Sequence, residues 1–171
     1  MTLVAAGLLF GYMFLATAAL AVVPHEPMVI WAGREYGIWS TALVATAATL
    51  GSAWVDAVAF GPLMRRLAHR PILTRGAVGW VRRRFGQAPF VILALSGVTP
   101  LPAWPLKAIA FAEHYPLGRY LLATALGRFP RYVLLAWLGV VVQIPTWALL
   151  LLAIVMILPS VRTAWKQRSA N

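Results

Sequence analysis

The chain has no cysteine, four acidic residues and three histidines among its 171 residues. The first absence removes disulfides, thiolate metal sites and cysteine nucleophiles. The second leaves few carboxylates for acid–base work, and these are scattered. No two histidines or acids stand at the i, i+4 spacing of a helical ligand pair, so no metal site is expected. Ser96-Gly97 lacks a G-x-S-x-G frame and an obvious histidine partner, which argues against serine hydrolysis. No cofactor is expected, and the chain does not read as an enzyme. A basic region before the first apolar run is also missing, so no cleavable signal is expected and the first segment reads as retained.

What is abundant is apolar surface and positive charge. Hydrophobic residues make up 61% of the chain and the mean hydropathy is +0.79. A soluble domain of this length needs more polar surface to cover its core. Long apolar stretches with few charges point to lipid as the main solvent. The length suits one membrane domain over 1–171. Lys and Arg number 15 against four acids, a formal net charge of +11. These cations lie between apolar spans without interleaved aromatics, so nucleic acid is not an expected partner. The excess follows instead from retention of positive loops on the cytoplasmic side.

Thr2 to Val23 is uncharged and long enough to cross a bilayer, or to form one arm of a re-entrant hairpin. It ends at Val23-Pro24-His25-Glu26-Pro27, where Pro24 and Pro27 break any helix. A short apolar piece, Met28 to Ala32, and a polar patch, Gly33 to Gly37, lead into a long span over 38–64 that contains Asp56. Residues 65–88 form a basic linker, read as an amphipathic surface helix or a solvated loop. Pro89 to Val98 and Leu106 to Ala112 are apolar but too short to span, and Pro100, Pro102 and Pro105 lie between them. Two short apolar arms around a proline-rich tip read as a re-entrant hairpin, allowed only where protein or trapped water satisfies the backbone. A full span over 117–142 carries Arg119, Arg128 and Arg131, a last span covers 145–161, and 162–171 is a basic tail. Two spans separate the basic regions 65–84 and 162–171, which places both on the cytoplasmic face.

Sliding the chain against itself by 76 residues superimposes Pro24 on Pro100, Ala32 on Ala108, Ala47 on Ala123 and Leu50-Gly51 on Leu126-Gly127. Each copy, 1–64 and 89–142, is a proline-broken segment followed by a long span with intramembrane charge. With one crossing between the broken segments, the copies are inverted, as in many transporters.

A charge near the bilayer centre costs several kcal/mol unless paired or hydrated, so Glu26, Asp56, Arg128 and Arg131 are the informative residues. Arg128 and Arg131 share a helical face, and Pro130 between them frees the carbonyl of Leu126. Two readings follow: the acids merely neutralise the arginines and lock the helices, or the arginines bind an anionic headgroup while a carboxylate exchanges protons. His25 is a polar residue at a helix break or a proton relay. Lys107 and Arg119 are expected to reach the interface as anchors.

The Val23-to-Pro27 tip followed by the Gly51-to-Asp56 span resembles the first half of the DedA / VTT-domain (SNARE-associated) membrane family. Thr99-Pro100-Leu101-Pro102-Ala103-Trp104-Pro105-Leu106-Lys107, followed by Leu126-Gly127-Arg128-Phe129-Pro130-Arg131-Tyr132, resembles its second half. The likeness covers about residues 20–140. It implies an all-α polytopic membrane protein with two re-entrant hairpins facing each other, plus the C-terminal span. It also implies flipping or scrambling of lipids such as undecaprenyl phosphate or phospholipids, driven in bacterial members by the proton motive force. By the same resemblance Glu26 and Asp56 match the family's embedded acids, and Arg128 and Arg131 its embedded arginines. The chain departs from the family in its shorter length and in Thr99, where many members place an arginine.

The function expected is transport of an anionic lipid in a bacterial inner membrane, with the C-terminus cytoplasmic. The headgroup would sit on Arg128 and Arg131 between the tips Pro24, Pro27, Pro100, Pro102 and Pro105, and protons would act through Glu26 and Asp56. A proton-coupled carrier of a small soluble ion and a non-transporting assembly protein are the alternatives.

Overall fold

A computed structural model describes residues 1–18, 24–66, 84–99, 104–142, 145–149, 151–152 and 154–155. Helix α1 (Leu3–Thr17) starts where the Thr2 hydroxyl accepts the Ala5 N–H at 3.2 Å, satisfying one of the free donors of the first turn. It stops at Thr17, and Ala18 is extended. Its 15 residues reach about 22 Å, less than the ~30 Å of a bilayer's hydrocarbon core. Within the described residues the first segment is therefore shorter than the span allowed by Thr2 to Val23.

Helix α2 (Glu26–Tyr36) begins at the proline break, with Pro27 in its first turn where a missing N–H loses no helical bond. The short apolar piece and most of the polar patch behind it are thus one helix. Gly37 ends it at φ 89°, ψ 156°, a backbone region open essentially to glycine alone, and α3 (Ile38–Arg66) starts at the next residue. Gly37→Ala is expected to lower stability by about 1–3 kcal/mol, read as a fall in thermal midpoint in detergent. An unchanged midpoint would mean that the α2–α3 corner relaxes freely.

The second half repeats the order. Helix α4 (Pro89–Val98) and helix α5 (Trp104–Ala112) flank the second proline-rich stretch, and α6 (Leu117–Val142) is the second long helix. Pro105 falls in the first turn of α5. The α5–α6 corner is closed by the Tyr115 N–H on the Ala110 carbonyl at 2.9 Å, with His114 left-handed at φ 54°. Residues 146–149, 151–152 and 154–155 are helical again. The tip residues Pro100 and Pro102, most of the basic linker and the tail 162–171 lie outside the described residues, as do residues 156–161 of the last span.

Among the described residues every regular element is a helix. Ile38–Met64 and Leu117–Val142 are each long and apolar enough to cross a membrane. Helix α3 buries its small and polar face, Thr41, Ala42, Ala45, Ala48, Thr49, Ser52, Ala53 and Asp56, and turns Trp39, Leu43, Trp54 and Val58 outward. In water this would leave a large apolar patch exposed. In lipid it is the favourable arrangement, because bulky side chains gain nothing by leaving hydrocarbon and small ones let backbones approach.

Helix α6 is the spine. Gly127 abuts the Ala94 carbonyl and Gly97 of α4, Ala136 abuts Gly33 of α2, and Gly139 abuts the Ile30 carbonyl of α2. The short helices exchange partners. The one before each break packs on the long helix of its own half (α1 on α3, α4 on α6), and the one after it packs on the long helix of the other half (α2 on α6, α5 on α3). Displaced by 76 residues, α2 and α3 fall on α5 and α6, which extends the sequence correspondence to the elements themselves.

Candidate functional site

The first break is built from groups that proline leaves without partners. Pro24 cannot donate a backbone hydrogen bond, but its carbonyl accepts the Tyr12 hydroxyl at 2.9 Å. The His25 N–H donates to Glu26 Oε2 at 3.1 Å. Glu26 Oε1 in turn accepts Arg131 Nη2 of α6 at 2.6 Å, a charge-assisted bond at the short end of its range. Arg131 Nη1 donates to the Thr99 carbonyl at 3.1 Å, just past the end of α4. One guanidinium therefore ties the first break, the edge of the second and the long helix together.

The second ion pair follows the same plan with the charges exchanged. Lys107, in the first turns of α5, donates from Nζ to Asp56 Oδ2 of α3 at 2.7 Å and to the Thr17 carbonyl, the last of α1, at 3.0 Å. The Thr17 and Ser52 hydroxyls lie 2.8 Å apart beside it. In one pair the acid sits on a broken segment and the cation on a long helix; in the other the roles are reversed. Each cation also satisfies a carbonyl where a helix ends, the place where the helix dipole favours positive charge.

This corrects two expectations. Asp56 pairs with Lys107, a cation other than the arginines expected, and Lys107 is an interior residue, its side chain only 14% exposed, not an interfacial anchor. A lysine reaches headgroups when its helix leads toward them. Here α5 starts within the protein, and the nearest favourable groups are Asp56 and the end of α1. Arg119 is exposed, as an anchor requires.

Between the pairs lies Arg128, in the middle of α6 and 7% exposed. Its Nη1 donates to the Tyr132 hydroxyl at 3.1 Å and lies 3.5 Å from His25 Nε2. Tyr132, fully buried, shares a 2.8 Å hydrogen bond with Thr49 of α3. Among the described residues, which include all four acids, no carboxylate comes within 4.0 Å of the Arg128 guanidinium. Arg128 and Lys107 line a small cavity of about 20 Å³ with Ser96, Thr124 and Tyr120, closed by Leu93, Gly97 and Leu106, room for a single water.

The structure thus brings Glu26 to Arg131 and places Arg128 against His25 at the first break. Pro24 and Pro27 are buried there. Tyr132, Thr49 and Thr17 were not singled out from sequence, because a hydroxyl in a membrane helix is usually satisfied by its own backbone. Their only available signal was the i+4 spacing of Tyr132 from Arg128. Among the described residues no three His, Asp or Glu side chains are grouped to hold a metal ion.

A family model for the VTT domain matches residues 23–141, well over half of the chain. That stretch starts at the first break and ends one residue before α6 does, so it contains all four residues of the two ion pairs. No curated protein and no solved structure matches the chain. With the broken helices, the buried charges and the lipid-suited packing in place, the chain belongs to the VTT-domain, or DedA/SNARE-associated, family of membrane proteins.

Proposed function

We propose that this protein moves an anionic lipid, such as undecaprenyl phosphate or a phospholipid, between the leaflets of a bacterial inner membrane, as a flippase or scramblase, with Arg128 as the principal headgroup contact. The observation that carries the proposal is a buried guanidinium beside a small polar cavity, whose partners among the described residues are a histidine and a tyrosine and no carboxylate. A buried cation without a counter-charge costs several kcal/mol, so the site favours an incoming anion. A planar fork suits phosphate oxygens because it presents paired donors. Lys107, on the same cavity, adds a second cation. Arg131 joins only when Glu26 releases it, so a proton taken up by Glu26 or Asp56 would free a cation for the headgroup and loosen a broken helix at the same time. The lipid tail stays in the bilayer, and no sealed aqueous pore is needed. No covalent chemistry is involved, so the protein is not an enzyme on this reading.

The reading treats α1–α2 and α4–α5 as re-entrant hairpins entering from opposite faces and related as inverted repeats. It is supported by their shortness, by the breaks between their arms and by the exchange of packing partners between halves. The C-terminus is cytoplasmic on this reading, beside the basic linker.

Reconstitution into phosphatidylcholine vesicles with a fluorescent polyprenyl phosphate tests it, using loss of signal to an external quencher as the measure of flipping. Arg128→Ala is expected to slow flipping about 30-fold, the equivalent of ~2 kcal/mol for deleting one partner of a buried charged contact. Arg128→Lys, which keeps charge without the fork, should fall between. Full-rate flipping by Arg128→Ala would reject the proposal.

A further inference from the structure

A second concavity lies outside the charged site. It is an open groove of about 410 Å³ between the end of α3, the end of α5 and the start of α6, walled by Val58, Pro62, Phe111, Pro116 and Leu117. That volume is within the range of small-ligand sites. Its walls are mainly apolar, and the polar groups that reach it, His114 and Tyr115, come from the α5–α6 corner.

Tyr120 joins the groove to the cationic cavity, because its side chain lines both. It is 3% exposed and packs edge-to-face on Phe111, ring centroids 5.3 Å apart. It shares the small cavity with Lys107 and Arg128. A tyrosine in such a place presents an apolar body to one side and a polar tip to the other. From Tyr120 inward, α6 carries Thr124, Arg128 and Tyr132 at successive steps of four residues, so these side chains form one stripe about 18 Å long. The stripe runs from the mouth of the groove past the cavity to His25 and the first break.

We infer that the α3–α5–α6 groove holds the hydrocarbon chain of the transported lipid next to its headgroup, and that Tyr120 separates this chain site from the phosphate site at Arg128 and Lys107. The inference rests on the proposed headgroup role of Arg128 and adds to it a place for the chain and the route between the two compartments. A free phosphate or a small soluble anion has no use for the groove. An amphipathic ligand uses both compartments at once, chain against Val58, Pro62 and Phe111 and phosphate beyond the tyrosine. The proximity of the two compartments, with one residue as their common wall, is what such a ligand requires.

The native lack of cysteine makes the test direct. Val58 on the groove wall and Val91 on α4 away from it are both exposed, so each is replaced singly by cysteine. Each variant is reconstituted with a fluorescent phosphatidate tracer and labelled with a bulky methanethiosulfonate. Labelled Val58→Cys is expected to fall to the rate of protein-free vesicles, measured against the same variant before labelling, while labelled Val91→Cys keeps the parent rate. Glycerol 3-phosphate in excess should not compete with the tracer. A full rate for labelled Val58→Cys, with Arg128→Ala still slow, overturns the groove and leaves the headgroup site standing. Efficient competition by glycerol 3-phosphate overturns it as well, since the chain would then contribute nothing. A full rate for Arg128→Ala overturns the headgroup site and this inference with it.

Discussion

Asp56→Ala is expected to cost about 3–5 kcal/mol of stability, whereas Asp56→Leu combined with Lys107→Met should recover a folded protein that no longer transports. The single change leaves the Lys107 ammonium buried with one backbone carbonyl, at Thr17, in place of a 2.7 Å ion pair. Deleting one partner of a buried pair is costly because the other charge stays behind without water, while replacing both with apolar side chains of similar volume removes the desolvation penalty of each. Thermal unfolding in detergent measures the first part and flipping in vesicles the second. The double variant separates the two sequence-level readings of the acids. If Asp56 only neutralises a cation, the double variant folds and transports. If the pair must open and close, or Lys107 must meet the headgroup, it folds and does not. A single variant as stable as the parent would show that Lys107 finds another partner and that the pair holds nothing together.

Gly127→Leu should eliminate the monodisperse protein, while Gly7→Leu should leave yield and elution unchanged. At Gly127 an added Cβ would meet the Ala94 carbonyl and the backbone of Gly97, neither of which is a flexible side chain that can move aside. At Gly7 it meets nothing within 4 Å. The contrast isolates close backbone approach from the general effect of adding a leucine. Overpacking a core typically costs about 1–3 kcal/mol, but here the obstruction is main chain on a helix that cannot shift without also losing the Ala136 and Gly139 contacts to α2. Size-exclusion of detergent extracts measures it. A normal peak for Gly127→Leu would show that α4 does not need to touch α6.

Much of the helix layout is legible in the residues. Pro24 and Pro27, lacking N–H donors, mark the first break, and Gly37 marks the corner between α2 and α3. The long apolar runs around Ala48 and Ala123 set the two spanning-length helices. The importance of Glu26, Asp56, Arg128 and Arg131 is also legible, because a charge amid apolar neighbours is costly wherever it goes. The pairing is not. Nothing in the spacing of Asp56 and Lys107, which are 51 residues apart, distinguishes that pair from Asp56 with Arg128. Lys107 looked like an anchor because its sequence neighbours do not reveal that α5 starts inside the protein.

Composition and punctuation alone determined that this is a lipid-embedded helical chain with two broken segments and two arginines inside a spanning-length run, since hydrophobicity and the missing amide hydrogen of proline are properties of single residues. Which cation meets which acid, that Arg128 meets a histidine and a tyrosine, and that Tyr120 stands between a groove and a cavity were decided only when the helices packed. Those relations depend on distances between segments far apart in the chain, and in a membrane these are governed by where small residues let backbones touch, not by any periodicity within one helix.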